Sequence, residues 1–185
     1  MKYLSYFQYN SVVILSYFFI SLFVFILNSI FGKKLNNVLF SSWSTSIFNP
    51  LTYVRFVTHI FGHDSLSHLI NNFLYILLIG PMIEEKYGSM NLLIMIFVTA
   101  LVIGVLNSLF TNKRILGASG IVFMLIVLSS FVNIEAGKIT ITLVLICLFY
   151  IINEIRDGLF KKDNVSHLGH LLGALCGILF GFYFM

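Results

Sequence analysis

The sequence predicts an all-α membrane protein: a polytopic bundle of six transmembrane helices forming a single domain over residues 1–185. Three observations predict it. Of the 185 residues, 59% are hydrophobic and only 10% are charged, whereas a soluble domain carries roughly 25% charge to cover its surface. Apolar stretches close to the roughly 17 to 25 residues that cross a bilayer recur along the chain. The connections between them are mostly short, so one bundle uses up the whole length. The positive mean hydropathy agrees.

The first apolar run, residues 11–31, follows Lys2. It is longer than a signal-peptide core and lacks a small-x-small cleavage site, so it is read as a retained span. The next spans are placed at about 66–83, 90–111 and 115–133, a fifth at 138–153 and a sixth at 165–184. The fifth has the shortest unbroken apolar core, residues 139–152, and is expected to be shallow, little tilted or mobile. The segment 32–65 is a long connection, rich in apolar and aromatic residues such as Phe40, Trp43, Phe48, Tyr53 and Phe56. It is expected to fold back onto the protein at the membrane interface, where Trp and Tyr rings are favoured. Cys147 and Cys176 sit inside apolar stretches, with no framework of paired cysteines. The net charge of +4 is spread thinly over loops without a basic run, which gives no case for nucleic acid as a partner. No soluble regulatory domain is expected.

Ionisable and polar residues inside spans are costly and therefore informative. All five histidines fall in two groups: His59, His63 and His68 lead into the second span, and His167 and His170 open the sixth. Asn71 and Asn72 follow in the second span, and Ser119 lies near the start of the fourth, in Gly117-Ala118-Ser119-Gly120. Six spans alternate in direction, so the second, fourth and sixth begin on one face. Their polar residues lie within the first two turns, at similar depth, as a single site built from three helices requires.

A serine hydroxyl becomes a useful nucleophile when a base within hydrogen-bond reach takes its proton, and histidine, titrating near neutrality, is the usual base. Glycines beside Ser119 allow close backbone approach and leave amides free to meet an oxyanion, although small residues in membrane helices also serve packing alone. Gly169, Gly173, Gly177 and Gly181 recur every fourth residue, a ridge that lets two membrane helices approach closely. If that ridge faces Gly117–Gly120, His170 comes near Ser119. His68 and Asn72, four apart, share a helix face; they could hold a carbonyl oxygen as it gains charge, or serve as an interhelical hydrogen-bonding pair. Asn71 points elsewhere and reads as structural. His59 and His63 have metalloprotease spacing, but the intervening residues are Ile60-Phe61-Gly62, without the glutamate that acts as base in His-Glu-x-x-His. No metal and no cofactor is expected. A transporter would spread ionisable residues toward both faces, whereas these cluster at one.

Together these residues resemble the rhomboid family of intramembrane serine proteases. The stretch from His63 to His68 and Asn72 resembles the family's second-helix pattern, Gly117-Ala118-Ser119-Gly120 its serine motif, and Gly169-His170 with Gly173 and Gly177 its sixth-helix pattern. The likeness runs from about residue 11 onward. It implies Ser119 as nucleophile and His170 as general base and then acid, with no third, aspartate member. His68, Asn72 and the Ser119 amide would stabilise the oxyanion, with Gly117, Gly120, Phe123 and Gly173 structural near the site. Arg55 and Glu84 fall where the family has a structural arginine and glutamate. The family's fifth helix and its adjoining loop are thought to move to admit substrate, which suits the weak fifth span. Two positions depart: Val54 stands where tryptophan is frequent before the arginine, and Phe123 where a tyrosine often stacks on the histidine. Phenylalanine keeps the stacking surface without the hydroxyl. The implied partners are the bilayer and transmembrane protein substrates, the implied location is the cell membrane as a multi-pass protein, and the oligomeric state is left open. A non-catalytic relative that binds membrane clients is the alternative; such proteins usually lack the serine and histidine retained here.

Charge and resemblance disagree on sidedness. The face holding both termini carries Lys2, Lys86 and Lys138, and the site face carries Lys33, Lys34, Arg55, Lys113, Arg114, Arg156, Lys161 and Lys162. The positive-inside rule turns the site toward the cytoplasm, whereas the resemblance implies that it faces outward. The expectation follows the resemblance, because part of this charge lies in a long loop folded onto the protein.

Overall fold

A computed structural model describes residues 8–32, 34–132, 134, 138–160 and 166–185. Among them the chain is a helical bundle without strands: α1 (Val12–Ile30), α2 (Lys34–Val38), α3 (Pro50–Thr58), α4 (Leu66–Tyr87), α5 (Ser89–Phe110), α6 (Ser119–Ser129), α7 (Ile141–Ile146), α8 (Ile152–Phe160) and α9 (His167–Tyr183). A 3₁₀ turn, His59–Phe61, extends α3, and a π turn, Cys147–Ile151, joins α7 to α8. The all-α membrane class stands. α1, α4 and α5, of 19, 22 and 22 residues, are each long and apolar enough to cross a bilayer alone, while α6 and α9 are shorter apolar helices.

Local chemistry sets the boundaries. Asn49 caps α3 by accepting from the Leu51 N–H, with Pro50 in the first turn where its missing N–H costs nothing. Ser65 caps α4 through the His68 N–H, and Ser166 caps α9 through that of Gly169. Gly88, at φ +81°, makes the tight reversal between α4 and α5.

Three spans differ from the expected limits; the fifth, placed at 138–153, runs from Ile141 to Phe160 through α7, the π turn and α8. The second runs on to Tyr87, past the expected end at 83. Buried Glu84 accepts from the Val13 and Ile14 N–H groups at 3.0 and 3.1 Å and from the Ser89 hydroxyl at 2.6 Å. A carboxylate that satisfies the N-terminus of α1 in this way has no reason to end a helix. The fourth starts at Ser119 rather than 115. Ile115 forms an antiparallel bridge with Ser42, and Gly117 at φ +116° lies outside helical backbone.

The core lies where α4, α5 and α6 meet, around Leu69, Phe73, Leu92, Met95, Ile121 and Leu125. α1 closes one side, with the Ile14 side chain in the space that a side chain at Gly80 would need. The long connection does fold back on the bundle. Its α3 packs against Gly104 of α5, where an added Cβ would lie 2.3 Å from the Phe56 carbonyl oxygen. Arg55 donates to the Val38 carbonyl at 2.7 Å. The Trp43 ring lies between Arg55 (4.3 Å) and Arg114 (5.2 Å). Trp43 thus gives Arg55 an aromatic partner although Val54 precedes it.

Candidate active site

Ser119 is the first residue of α6, so its N–H has no acceptor within the helix. His170 is in the first turn of α9 and His68 in the first turn of α4, with Asn72 one turn on. The seam between α6 and α9 sets their separation. A Cβ on Gly173 would lie 2.1 Å from the Gly120 carbonyl oxygen, one on Gly120 would lie 3.2 Å from that of Gly169, and one on Gly177 would lie 2.6 Å from that of Met124. The glycine ridge therefore faces α6, and the two backbones touch without intervening side chains.

A cleft of about 460 Å³ opens at this end of the bundle, lined by Asp64, His68, Asn72, Arg114, Ser119 and His170, among others. The structure thus brings together the four polar side chains that sequence reasoning placed in one site. The His170 ring stacks on Phe123, with centroids 4.4 Å apart and planes 9° from parallel. Gly117 makes room for the neighbouring imidazole: a Cβ there would lie 2.7 Å from His68 Nε2. The amide of buried Asn72 donates to His63 Nε2 at 3.2 Å, which holds its side chain in place. Asn71 is exposed and sits 3.5 Å from the Ser67 hydroxyl, apart from the site.

A family model described as the Rhomboid domain matches residues 50–185. The chain belongs to the rhomboid family. Among curated proteins it is similar to Rhomboid-like protein 11, chloroplastic, of Arabidopsis thaliana, at 28% identity over 69% of this chain and 51% of that one. It is also similar to Rhomboid protease GlpG of Yersinia pestis, at 26% identity over 77% of this chain and 53% of the relative. The chain spans about half the length of these relatives.

Other residues around this rhomboid cleft were not expected from the sequence. Glu154 of α8 accepts hydrogen bonds through Oε1 from Nδ1 of His167 and from Nδ1 of His170, each at 2.6 Å. The sequence signal, visible only in retrospect, is an acid just past the apolar core of the fifth span and two histidines three apart. These three residues place possible metal-ligand atoms within 4.8 Å of one another. Both nitrogens, however, are 2.6 Å from a single oxygen, whereas two ligand atoms on a tetrahedral zinc sit roughly 3.3 Å apart. The trio is a hydrogen-bonded carboxylate–imidazole cluster.

The remaining histidines belong to the connection before α4. His59 is buried with Nε2 3.1 Å from the Ala100 carbonyl oxygen, and burial pushes its pKa down from 6.5 to about 4, against the raising effect of that hydrogen bond. Burial, and then the nearby His68, push buried His63 down to about 3. Both are neutral hydrogen-bonding groups at physiological pH. Arg114 donates to the Ser41 hydroxyl at 2.7 Å, and partial burial lowers its pKa.

Proposed function

We propose that this rhomboid chain, acting as a single membrane domain, is a serine endopeptidase that hydrolyses peptide bonds in or near transmembrane segments. The observation that carries the reading is the convergence of Ser119, His170, His68 and Asn72 on one cleft, with the His170 ring held against Phe123. The presence of a named rhomboid protease among the relatives supports it.

In this mechanism the Ser119 Oγ attacks the scissile carbonyl carbon while its proton passes to His170 Nε2. The oxyanion is held by the Ser119 amide with the His68 and Asn72 side chains. As the tetrahedral intermediate collapses, the imidazolium returns the proton to the leaving amine and an acyl-Ser119 ester remains. Water, deprotonated by His170, then attacks the ester, and the imidazolium returns the proton to the Ser119 oxygen as the new carboxyl group leaves. The substrates are single-span membrane proteins with small or helix-destabilising residues near the cut, because an extended strand has to enter the cleft. No step calls for a metal or cofactor.

The location proposed is the cell membrane, with termini inward and the cleft outward. Arg55 and Arg114 are held by protein groups and by Trp43, which weakens their part in the charge bias toward the other orientation. Lys2, Lys33, Lys161 and Lys162, also counted in that bias, lie outside the described residues. Labelling of single cysteines at Lys113 and Lys138, both exposed, tests this; reaction at 113 only from the cytoplasm reverses the assignment.

The test of activity is cleavage of a single-span reporter by purified protein in liposomes. Wild type is expected to cut, while Ser119→Ala and His170→Ala stay folded and lose at least roughly a thousandfold. A wild type inert on several reporters, or cleavage by Ser119→Ala, sinks the proposal and moves client binding without cleavage to first place.

A further inference from the structure

The fifth span is apolar from Ile139 to Ile152, and then Asn153 and Glu154 follow. A carboxylate at the end of a span is costly unless paired, yet the Glu154 side chain is only 14% exposed. Its Oε1 lies 2.6 Å from Nδ1 of both His170 and His167, whose side chains are 12% and 13% exposed. An imidazole whose Nδ1–H donates to a carboxylate has its Nε2 lone pair free on the opposite side of the ring. That lone pair is what a base for Ser119 requires. Stacking on Phe123 fixes the plane of the ring, and the carboxylate fixes its direction and tautomer within that plane.

We propose that Glu154 is a positioning residue for His170, with His167 anchoring the carboxylate, so that this chain adds to its Ser119–His170 pair an acid that the family pattern does not imply; this rests on the protease reading above. When the Ser119 proton reaches Nε2, the imidazolium faces a carboxylate already in place, and nothing has to reorganise to stabilise it. Among the described residues, the other charged or titratable groups around the cleft are Asp64, His68 and Arg114, with Tyr150 behind Phe123. Glu154 is the group hydrogen-bonded to His170 Nδ1. Because α8 carries Glu154, the base is aligned only while α8 lies against α9.

The rival is a tie that merely holds α8 to α9. Three readouts separate them: kcat and KM on the reporter, the rate of Ser119 modification by a fluorophosphonate, which needs no transmembrane substrate to enter, and Tm. Glu154→Gln keeps the shape and an acceptor oxygen but removes the charge. It is expected to lower kcat and the labelling rate by roughly 10- to 100-fold, with KM within about twofold and Tm unchanged. Glu154→Asp is expected to recover part of the loss, and His167→Gln to cost less than Glu154→Gln. Wild-type labelling by Glu154→Gln, or a loss confined to KM and Tm, overturns the positioning role. Ser119→Ala is run beside it: if that variant still cuts, the protease reading itself falls. An active wild type, a dead Ser119→Ala and an unimpaired Glu154→Gln overturn only the role of Glu154.

Discussion

The two helical regions that meet around His170 are built in opposite ways. α6 and α9 meet backbone to backbone along Gly120, Gly173 and Gly177, and α6 buries Gly120, Ile121, Val122 and the run from Met124 to Leu128. On the Nδ1 side of His170, α7 buries only Leu143, and the π turn and α8 bury no residue fully. One region fixes Ser119 and His170 relative to each other with no adjustable side chain between. The other is held by one carboxylate, by the Phe123–Tyr150 edge contact, 5.9 Å between centroids, and by Leu143, Ile146 and Ile151 packing on Val127 and Ala174. Precision sits in the seam, and freedom sits in the element beside the opening. A protein that must hold a nucleophile still while admitting a long substrate needs both.

The largest effect is expected at the seam itself. Gly173→Leu puts a Cβ 2.1 Å from the Gly120 carbonyl oxygen, a backbone atom that cannot move aside. α9 has to shift outward, at a cost of more than roughly 3 kcal/mol, and reporter cleavage should disappear with a clear fall in Tm. A well-folded, active Gly173→Leu would break the comparison at its base. Next comes Leu125→Ala, which empties a position that is 1% exposed. A loss of about 2–5 kcal/mol in detergent unfolding is expected.

Much of this contrast was legible in the sequence, and the parts that were not share a cause. The glycine ridge repeats every fourth residue, so its helix face is defined without a partner, and Gly120, which faces it, belongs to a small-residue stretch of its own. The polar openings of the second, fourth and sixth spans are local features, and strict alternation of spans brings them to one face. Glu154 was invisible because it meets His167 and His170 at separations of 13 and 16 residues, and because the π turn just before it, Cys147–Ile151, changes the helical phase of the fifth span. Trp43 meets Arg114 by the same kind of long-range register. The start of α6 was misplaced by four residues because an apolar run does not reveal that Ile115 pairs with Ser42.

The folded connection before α4 adds a test by acid. Unfolded histidines protonate near pH 6.5, whereas buried His59 resists until about 4. Above pH 6.5 both states are neutral and nothing is lost. As pH falls from 6.5 toward 4, the unfolded chain takes up a proton that the folded chain refuses, so stability declines by up to on the order of 3 kcal/mol. His59→Gln, which keeps a donor for the Ala100 carbonyl, should lessen the fall in Tm between pH 7 and 4.5, leaving the part that buried His63 contributes over the same window. An equally steep fall in the variant would place the acid sensitivity elsewhere. At the junction of the two regions, Phe123→Ala removes the surface beneath His170. The stack is worth roughly 0.5–1.5 kcal/mol, so a two- to tenfold drop in kcat is expected, while Phe123→Tyr should stay within about twofold.

The smallest effect is expected at Phe149→Ala, and it is the sharpest check on the comparison. Phe149 lies in the π turn and is 64% exposed. Its ring meets lipid or detergent in the folded protein and would meet the same medium if the fifth span came away, so the hydrophobic effect that rewards burial from water is absent. A stability change under about 0.5 kcal/mol follows, against several for Leu125→Ala, although phenylalanine is the larger side chain. Run in one detergent on one day, the pair measures packing directly. Equal losses would mean that α7 and α8 are held as firmly as the seam, and that a substrate has to enter the cleft by another side.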